Sequence, residues 1–157
     1  MRAFMVKLPS GVRYWTVVDD NLVVVPDADA YLLHLRLGRE SAELTTRSYA
    51  GAVALFLGWC EGRGVQWHDG VEHLGLFMTW LRHGGGGTNG SDGSGFGVML
   101  AGPGSRPVRG ARRVNVVLTA VRGLVSHAVS SGGAPARLMP VLYEFGRRTR
   151  AARGGTP

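Results

Sequence analysis

The pattern of apolar and polar positions predicts a short β-hairpin followed by helices. Residues 14–18 and 22–25 are rich in β-branched and aromatic side chains, and the Asp-Asp-Asn of residues 19–21 tolerates a tight turn. These two runs predict an antiparallel hairpin that ends at Pro26. Because two strands alone are marginally stable, the hairpin must pack against other elements. A short helix over residues 27–38 is expected next, with apolar side chains available for a core at Ala30, Tyr31, Leu32, Leu33 and Leu37.

The clearest helical pattern follows in residues 45–62. Its apolar positions recur at intervals of four, three and four residues, which is the period of one helical face, at Tyr49, Val53, Phe56 and Cys60. Thr45 or Thr46 is the predicted N-cap, and Gly62 or Gly64 the predicted end. The opposite side carries one cation and a strip of small residues: Arg47, Ala50 or Gly51, Ala54 and Gly58. Such a strip admits a close neighbour, either another helix or a nucleic acid.

A third helix is predicted to begin at Asp69, because Asp69 and Glu72 have the spacing of a capping box. Its apolar positions are Leu74, Phe77, Met78, Trp80 and Leu81, and glycine at position 84 ends it. Ten of the 21 residues from 84 to 104 are glycine, which is typical of a flexible connector. The Gly-Ser-Gly-Phe-Gly within it lacks the spacing and the preceding strand of a nucleotide-binding loop.

The fourth helix, predicted over residues 109–131, is amphipathic. One face is apolar, with Val114, Val117, Leu118, Val121, Leu124, Val125 and Ala128. Another face carries Arg112, Asn115, Thr119, Arg122 and Ser126 at steps of three and four residues, and Arg113 lies at its edge. These residue types suit a helix lying against DNA, although a solvated polar face has the same pattern. A last helix over residues 136–145 would bury Leu138, Val141, Leu142 and Phe145, with Tyr143 also expected in the core.

Composition restricts the class of protein. A chain of 157 residues with 45% hydrophobic and 18% charged residues corresponds to one globular domain. The single cysteine, Cys60, excludes an internal disulfide and, within an apolar run, is expected to be a core residue. The sequence shows neither an apolar stretch long enough for a membrane span nor a signal peptide, so a cytoplasmic location is expected.

Positive charge is concentrated in the second half of the chain. Residues 1–84 carry eight Lys and Arg against nine acidic residues, whereas residues 85–157 carry ten Arg against Asp92 and Glu144. A segregated charge of this kind creates a one-sided positive potential, and nucleic acid is its commonest soluble partner. A solvated basic face that serves only solubility is the alternative.

The order of these helices resembles the N-terminal core-binding domain of tyrosine recombinases, the phage integrase family, particularly those of actinobacteria. Three groups of residues carry the resemblance: Tyr14 to Asp19 in the opening strand; Thr45, Tyr49, Phe56, Leu57 and Trp59 in the second helix; and Asn115, Leu118, Ala120, Val121 and Arg122 in the fourth. The chain departs from the family at Val116, where a polar or basic residue is frequent, and at Leu124 and Val125, where an aromatic pair is usual.

The resemblance implies a mainly α fold: a small SAM-like bundle of four to five helices preceded by a short β-hairpin. The expected boundaries are a lead-in of residues 1–12, a hairpin and helical domain of residues 13–146 with a flexible glycine-rich loop at 84–105, and a basic flexible tail of residues 147–157. In this family the second and fourth helices face duplex DNA. The DNA-binding candidates are therefore Thr45, Thr46, Arg47, Arg109, Arg112, Arg113, Asn115, Thr119 and Arg122.

The catalytic residues of that family are missing from the sequence. Its members cut DNA with a tyrosine activated by arginines and a His-x-x-Arg box in a second domain, and this chain contains no His-x-x-Arg. Its histidines and cysteine also lack the spacing of a metal site. We therefore expect DNA binding without strand cleavage, and neither a cofactor, a metal nor a small-molecule substrate.

The sequence leaves two classes of function open, besides the possibility of a decayed reading frame without function. The first is the DNA-binding domain of a truncated site-specific integrase, with double-stranded DNA as the partner. The second is a helical protein-interaction module or regulator whose partner is an intact recombinase. Apolar residues at 124, 125 and 96–100, if exposed, would favour the second.

Overall fold

The computed structural model describes residues 1–83 and 109–151, with side chains described in the second segment as far as Phe145. The predicted loop at 84–105 lies outside the described residues, as do residues 152–157 of the predicted tail. The elements are β1 (Arg2–Lys7), β2 (Arg13–Val18), α1 (Pro26–Leu33), α2 (Glu43–Gly62), α3 (Trp67–Glu72), α4 (Leu74–His83), α5 (Ala111–Ser130) and α6 (Leu138–Ala151). The predicted fold class, mainly helical with a short hairpin in front, is confirmed.

The hairpin uses a different pair of strands from the predicted pair. β2 occupies the predicted first strand, but it pairs antiparallel with β1, from Arg2 opposite Val18 to Lys7 opposite Arg13. The Asp19 carboxylate accepts hydrogen bonds from the N–H groups of Asn21 and Val23, so the predicted tight turn forms. Beyond it only a single bridge, Val18 to Val24, continues the pairing. Residues 2–7 therefore belong to the folded unit and are not a lead-in.

α1 is followed by a π-helical turn, His34–Gly38. A π-turn advances the chain by about one extra residue per turn, which moves later side chains to another face. Leu35 is accordingly buried, whereas Leu37, predicted for the core, is exposed. Ala30 is also exposed, and of the predicted positions only Tyr31 and Leu32 are fully buried.

α2 is the central helix of the bundle. It packs against both strands, α1, α3 and α5, and most of its residues from Ala50 to Cys60 are buried. The apolar positions Val53, Phe56 and Cys60 lie in the core as predicted, and Tyr49 is half-buried. A helix that is apolar on nearly all sides must be surrounded by its neighbours, which is the arrangement observed.

The remaining helices follow the predicted pattern with three differences. The predicted third helix begins at Trp67, after its N-cap Gln66, and not at Asp69. It is also divided at His73 into α3 and α4, which gives six helices in the described residues. α6 continues to Ala151, so the first residues of the predicted tail are helical. No helix in the described ranges is both long and apolar enough to cross a membrane.

Candidate nucleic-acid interface

The first turn of α2 is fixed to the hairpin through Thr46. Its hydroxyl donates to the Glu43 carbonyl at 2.7 Å and accepts the backbone N–H of Trp15 at 3.3 Å. Because Thr46 is 0% exposed, its predicted contact with DNA is wrong. Neither Thr45 nor Thr46 is the N-cap, which is Ala42 without a side-chain hydrogen bond. Thr45 is exposed, as a DNA contact requires.

Arg47 lies at the surface where α2 meets the hairpin. Its guanidinium carbon is 5.2 Å from the centroid of the Trp15 ring, on β2. A cation held over an indole face keeps its N–H groups available at the ring edge, because the ring offers no hydrogen-bond acceptor in its plane. Trp15 therefore orients Arg47 without neutralising its charge.

The strip of small residues on α2 accommodates other parts of this chain. Ala50 and Ala54 are buried in the core, and a Cβ on Gly58 would lie 3.7 Å from the Cβ of Met1. A Cβ on Gly51 would lie 3.9 Å from Nη2 of Arg113 on α5. The absence of a side chain at Gly51 thus leaves room for the Arg113 guanidinium over α2. Gly51 also follows Arg47 by four residues, so Arg47 and Arg113 approach the same side of α2.

Arg109 has a structural role at the beginning of α5. Its Nη1 donates to the carbonyl oxygen of Leu81 at 3.0 Å, and its guanidinium carbon is 5.8 Å from the centroid of the Trp80 ring. These contacts tie the approach to α5 to the last turn of α4. Burial, together with the positive charge of Arg113, lowers the pKa of Arg109. With one N–H group committed to a carbonyl, Arg109 is a weaker DNA-binding candidate than the sequence predicted.

The predicted polar stripe of α5 is exposed in its first half only. Arg112, Asn115 and Thr119 are exposed, and Arg113 is exposed beside them. Arg122 is half-buried, and its Nη2 is buried without a hydrogen-bond partner among the described residues. Burying the end of a guanidinium removes it from the reach of a phosphate and leaves a polar group unsatisfied. Arg122 is therefore a weaker DNA-binding candidate than the exposed residues of the stripe.

The exposed arginines at this surface form no ion pair within the described residues. Within the described ranges, ion pairs shorter than 4.0 Å join the Met1 amino group to Asp20 and Arg137 to Glu72. Neither pair involves Arg47, Arg112 or Arg113. The first turn of α5 also contains no acidic residue, and its N-cap, Gly110, provides no side-chain hydrogen bond. The positive end of the α5 dipole thus adds to the charge of Arg112 and Arg113, which have no ion-pair partner in the described residues.

Three cations of the N-terminal half were missed by the sequence reasoning. Lys7 and Arg13 face each other across the hairpin, and Nε of Arg36 donates to the Arg13 carbonyl at 2.8 Å. The sequence signal was present, because the apolar run of residues 3–6 is flanked by charges and is followed by the turn-forming Pro9, Ser10 and Gly11.

The described residues offer little support for metal binding or for a reactive cysteine. Within those ranges no group of three His, Cys, Asp or Glu side chains could hold a metal ion. Cys60 is buried, as predicted, and burial raises the pKa of its thiol to about 12, so the thiolate is scarce at neutral pH. Tyr143 is 69% exposed, so its expected place in the core is wrong; it lies one residue beyond the buried Leu142, off the apolar face of α6.

The exposed apolar surface expected at residues 124 and 125 does not exist. Leu124 and Val125 are fully buried in the core, and residues 96–100 lie outside the described residues. The interaction-module hypothesis therefore loses the support of these two positions. Comparisons with protein-family models, curated proteins and solved structures find no match for this chain.

Proposed function

We propose that this chain binds duplex DNA through the surface formed by the beginnings of α2 and α5. The observation that carries the proposal is the group of three exposed arginines, Arg47, Arg112 and Arg113, without a carboxylate partner in the described part of the chain. We call this group the helical arginine cluster. Duplex DNA carries one negative charge per about 1.7 Å of its axis. Its phosphates can therefore pair with these three arginines.

The three neighbouring arginines suit a row of phosphates better than a single anion of lower charge. Cations at the positive end of a helix repel both the helix dipole and one another, and each such contact costs about 0.3–1 kcal/mol. A row of phosphates converts this repulsion into attraction, with forked hydrogen bonds from each guanidinium. The unfavourable arrangement in the free protein therefore has a simple explanation if a polyanion covers it.

The exposed stripe on α5 adds the side chains that a DNA-facing helix uses. Arg112, Asn115 and Thr119 span seven residues, which is about 10 Å along the helix. A helix of this kind fits the major groove, about 12 Å wide, where arginine pairs with guanine and asparagine with adenine. Threonine hydroxyls contribute contacts to phosphate. A base-specific contact is therefore proposed for Asn115, and phosphate contacts for Arg47, Arg112 and Arg113.

We further propose that the chain is the DNA-binding part of a site-specific integrase of the tyrosine recombinase type and does not cleave DNA. The support is the resemblance in the opening strand, α2 and α5, together with the missing His-x-x-Arg motif in the sequence. We propose that it acts in the cytoplasm, where the reducing conditions suit the free, buried thiol of Cys60.

Binding of a fluorescently labelled duplex, followed by anisotropy between 50 and 300 mM NaCl, tests the proposal. Each phosphate neutralised by the protein contributes about −0.9 to the slope of log affinity against log salt, and about five-fold to the affinity at 0.15 M. Arg112→Ala combined with Arg113→Ala should therefore reduce the slope by about 1.8 and weaken binding about 30-fold.

The matched control removes two cations elsewhere. Arg63 lies over the Trp59 ring just after α2, and Arg137 is already paired with Glu72. Arg63→Ala combined with Arg137→Ala changes the net charge equally but should preserve the slope. Equal losses in both double variants would attribute binding to overall charge, and wild-type protein without salt-dependent binding would refute the proposed function.

A further inference from the structure

The hairpin contains a rung of like charges. Lys7, the last residue of β1, lies directly opposite Arg13, the first residue of β2, in the antiparallel ladder, and both are exposed. Facing cations repel and destabilise a strand pair, whereas an acidic partner at either position would stabilise it. In the described residues neither has a carboxylate within 4.0 Å. The hairpin thus carries an avoidable cost at this position.

A third cation is fixed beside the rung. Nε of Arg36 donates to the Arg13 carbonyl at 2.8 Å, and Nη1 donates to the Ser41 carbonyl at 3.1 Å. These two hydrogen bonds anchor the guanidinium but leave its charge uncompensated. Arg36 therefore adds to the positive potential around Lys7 and Arg13. We call these three residues the hairpin cluster.

The hairpin cluster continues the surface that Arg47 begins. Residues two apart on a strand share a face, so Arg13 lies on the same face of β2 as Trp15, about 7 Å away along the strand. Cross-strand partners also share a face, which places Lys7 there too. Since Arg47 lies over the Trp15 ring, one row of cations runs from the end of the hairpin to the beginning of α2.

We infer that the hairpin cluster is a second phosphate-contacting surface, which extends the DNA interface from the helices onto the hairpin. The inference rests on the proposed function, because the same duplex is the partner. Lys7 and Arg13 bind backbone phosphates beyond those held by the helical arginine cluster, and Arg36 strengthens the local potential. Contacts to backbone phosphates carry no sequence information directly, so this surface adds affinity without base specificity.

The decisive variant is Lys7→Glu, because stability and binding should change in opposite directions. A glutamate opposite Arg13 replaces a repulsive pair by an attractive one, so the melting temperature of the free protein should rise by about 1–2 °C. The same glutamate repels phosphate and occupies Arg13, so the salt slope should decrease by about 1.8 and the affinity at 0.15 M by at least about 30-fold. A loss of affinity in a more stable protein cannot arise from unfolding.

Arg2→Glu is the matched control. Arg2 lies on β1 opposite Val18, five residues from Lys7, so its side chain points to the other face of the hairpin. This variant has the same change of charge on the same strand, and it should leave the salt slope within about 0.3 of the wild-type value, because it removes no phosphate contact.

The possible outcomes separate the two hypotheses. If Lys7→Glu binds like Arg2→Glu while Arg112→Ala with Arg113→Ala loses affinity, the hairpin inference is wrong and the proposed function stands. If the wild-type protein shows no salt-dependent binding, both fall. A selective loss for Lys7→Glu, equal for duplexes of different sequence, supports the backbone contact.

Discussion

Gly51→Glu would place a carboxylate inside the helical arginine cluster. A Cβ at this position would lie 3.9 Å from Nη2 of Arg113, an ordinary contact distance, and it meets no closer neighbour. Gly51 is also one helical turn after Arg47 on α2. The new carboxylate can therefore pair with both arginines in place of a DNA phosphate.

The expected magnitudes follow from two separate effects. Replacing glycine within a helix contributes about 0.5–1 kcal/mol to stability, and an exposed ion pair adds about 0.2–1 kcal/mol. The free energy of unfolding should therefore rise by about 1–2 kcal/mol. Neutralising one or two phosphate contacts reduces the salt slope by about 0.9–1.8 and the affinity at 0.15 M by about 5- to 30-fold.

Gly51→Gln is the control of nearly equal size without the charge. Urea denaturation should show a comparable gain in stability for both variants, apart from the ion pair. Duplex titrations at several salt concentrations should show a reduced slope for the glutamate variant only. If the glutamine variant loses as much affinity, the position obstructs DNA sterically; if both bind like the wild type, Arg47 and Arg113 do not contact DNA and the reasoning fails.

Three further predictions concern the packing of α5. A Cβ at Gly123 would collide with the Tyr31 hydroxyl, so Gly123→Ala should destabilise the protein by about 1–3 kcal/mol in urea denaturation, and adding Tyr31→Phe should restore part of the loss. Arg122→Met keeps the apolar stem and removes the sealed Nη2, so it should raise the free energy of unfolding by about 0.5–1 kcal/mol while duplex affinity stays within two-fold. Burial and the nearby His34 lower the pKa of His127 below its ordinary 6.5. The folded state therefore resists protonation, and the protein loses stability as the pH falls below that value. Between pH 7.5 and 5.5, the melting temperature of His127→Gln should decrease less than that of the wild type.

The helices were predictable because their burial follows a local period. All seven apolar positions assigned to α5 are buried, as their spacing at three and four residues indicates. The hairpin was harder, because residues 2–7 and 22–25 are both apolar runs that could pair with β2. The pairing depends on packing against α2, which contacts both strands of the observed hairpin. Leu22 has a positive φ of 63°, an unusual backbone conformation at the turn that precedes the single bridge at Val24.

The candidate site was predictable as a face but not residue by residue. Helical periodicity places Arg112, Asn115 and Thr119 together, and all three are exposed. It does not show which arginines form hydrogen bonds within the protein, because their partners are distant in sequence. Arg109 is occupied by the carbonyl of Leu81, 28 residues away in sequence.

The two kinds of arginine on and before α5 can be separated by what they do to the free protein. Arg109 donates to the carbonyl of Leu81 in the last turn of α4, where carbonyls lack a partner within the helix, so its side chain stabilises the fold. Arg112 and Arg113 lie in the first turn of the same helix, where the dipole repels them, so folding proceeds in spite of their charge. A cation that stabilises the fold needs no partner to explain it, whereas a cation that opposes the fold does. The same distinction applies to Lys7 and Arg13 on the hairpin, and it supports, on physical grounds independent of any resemblance, the proposal that an anionic partner covers both clusters.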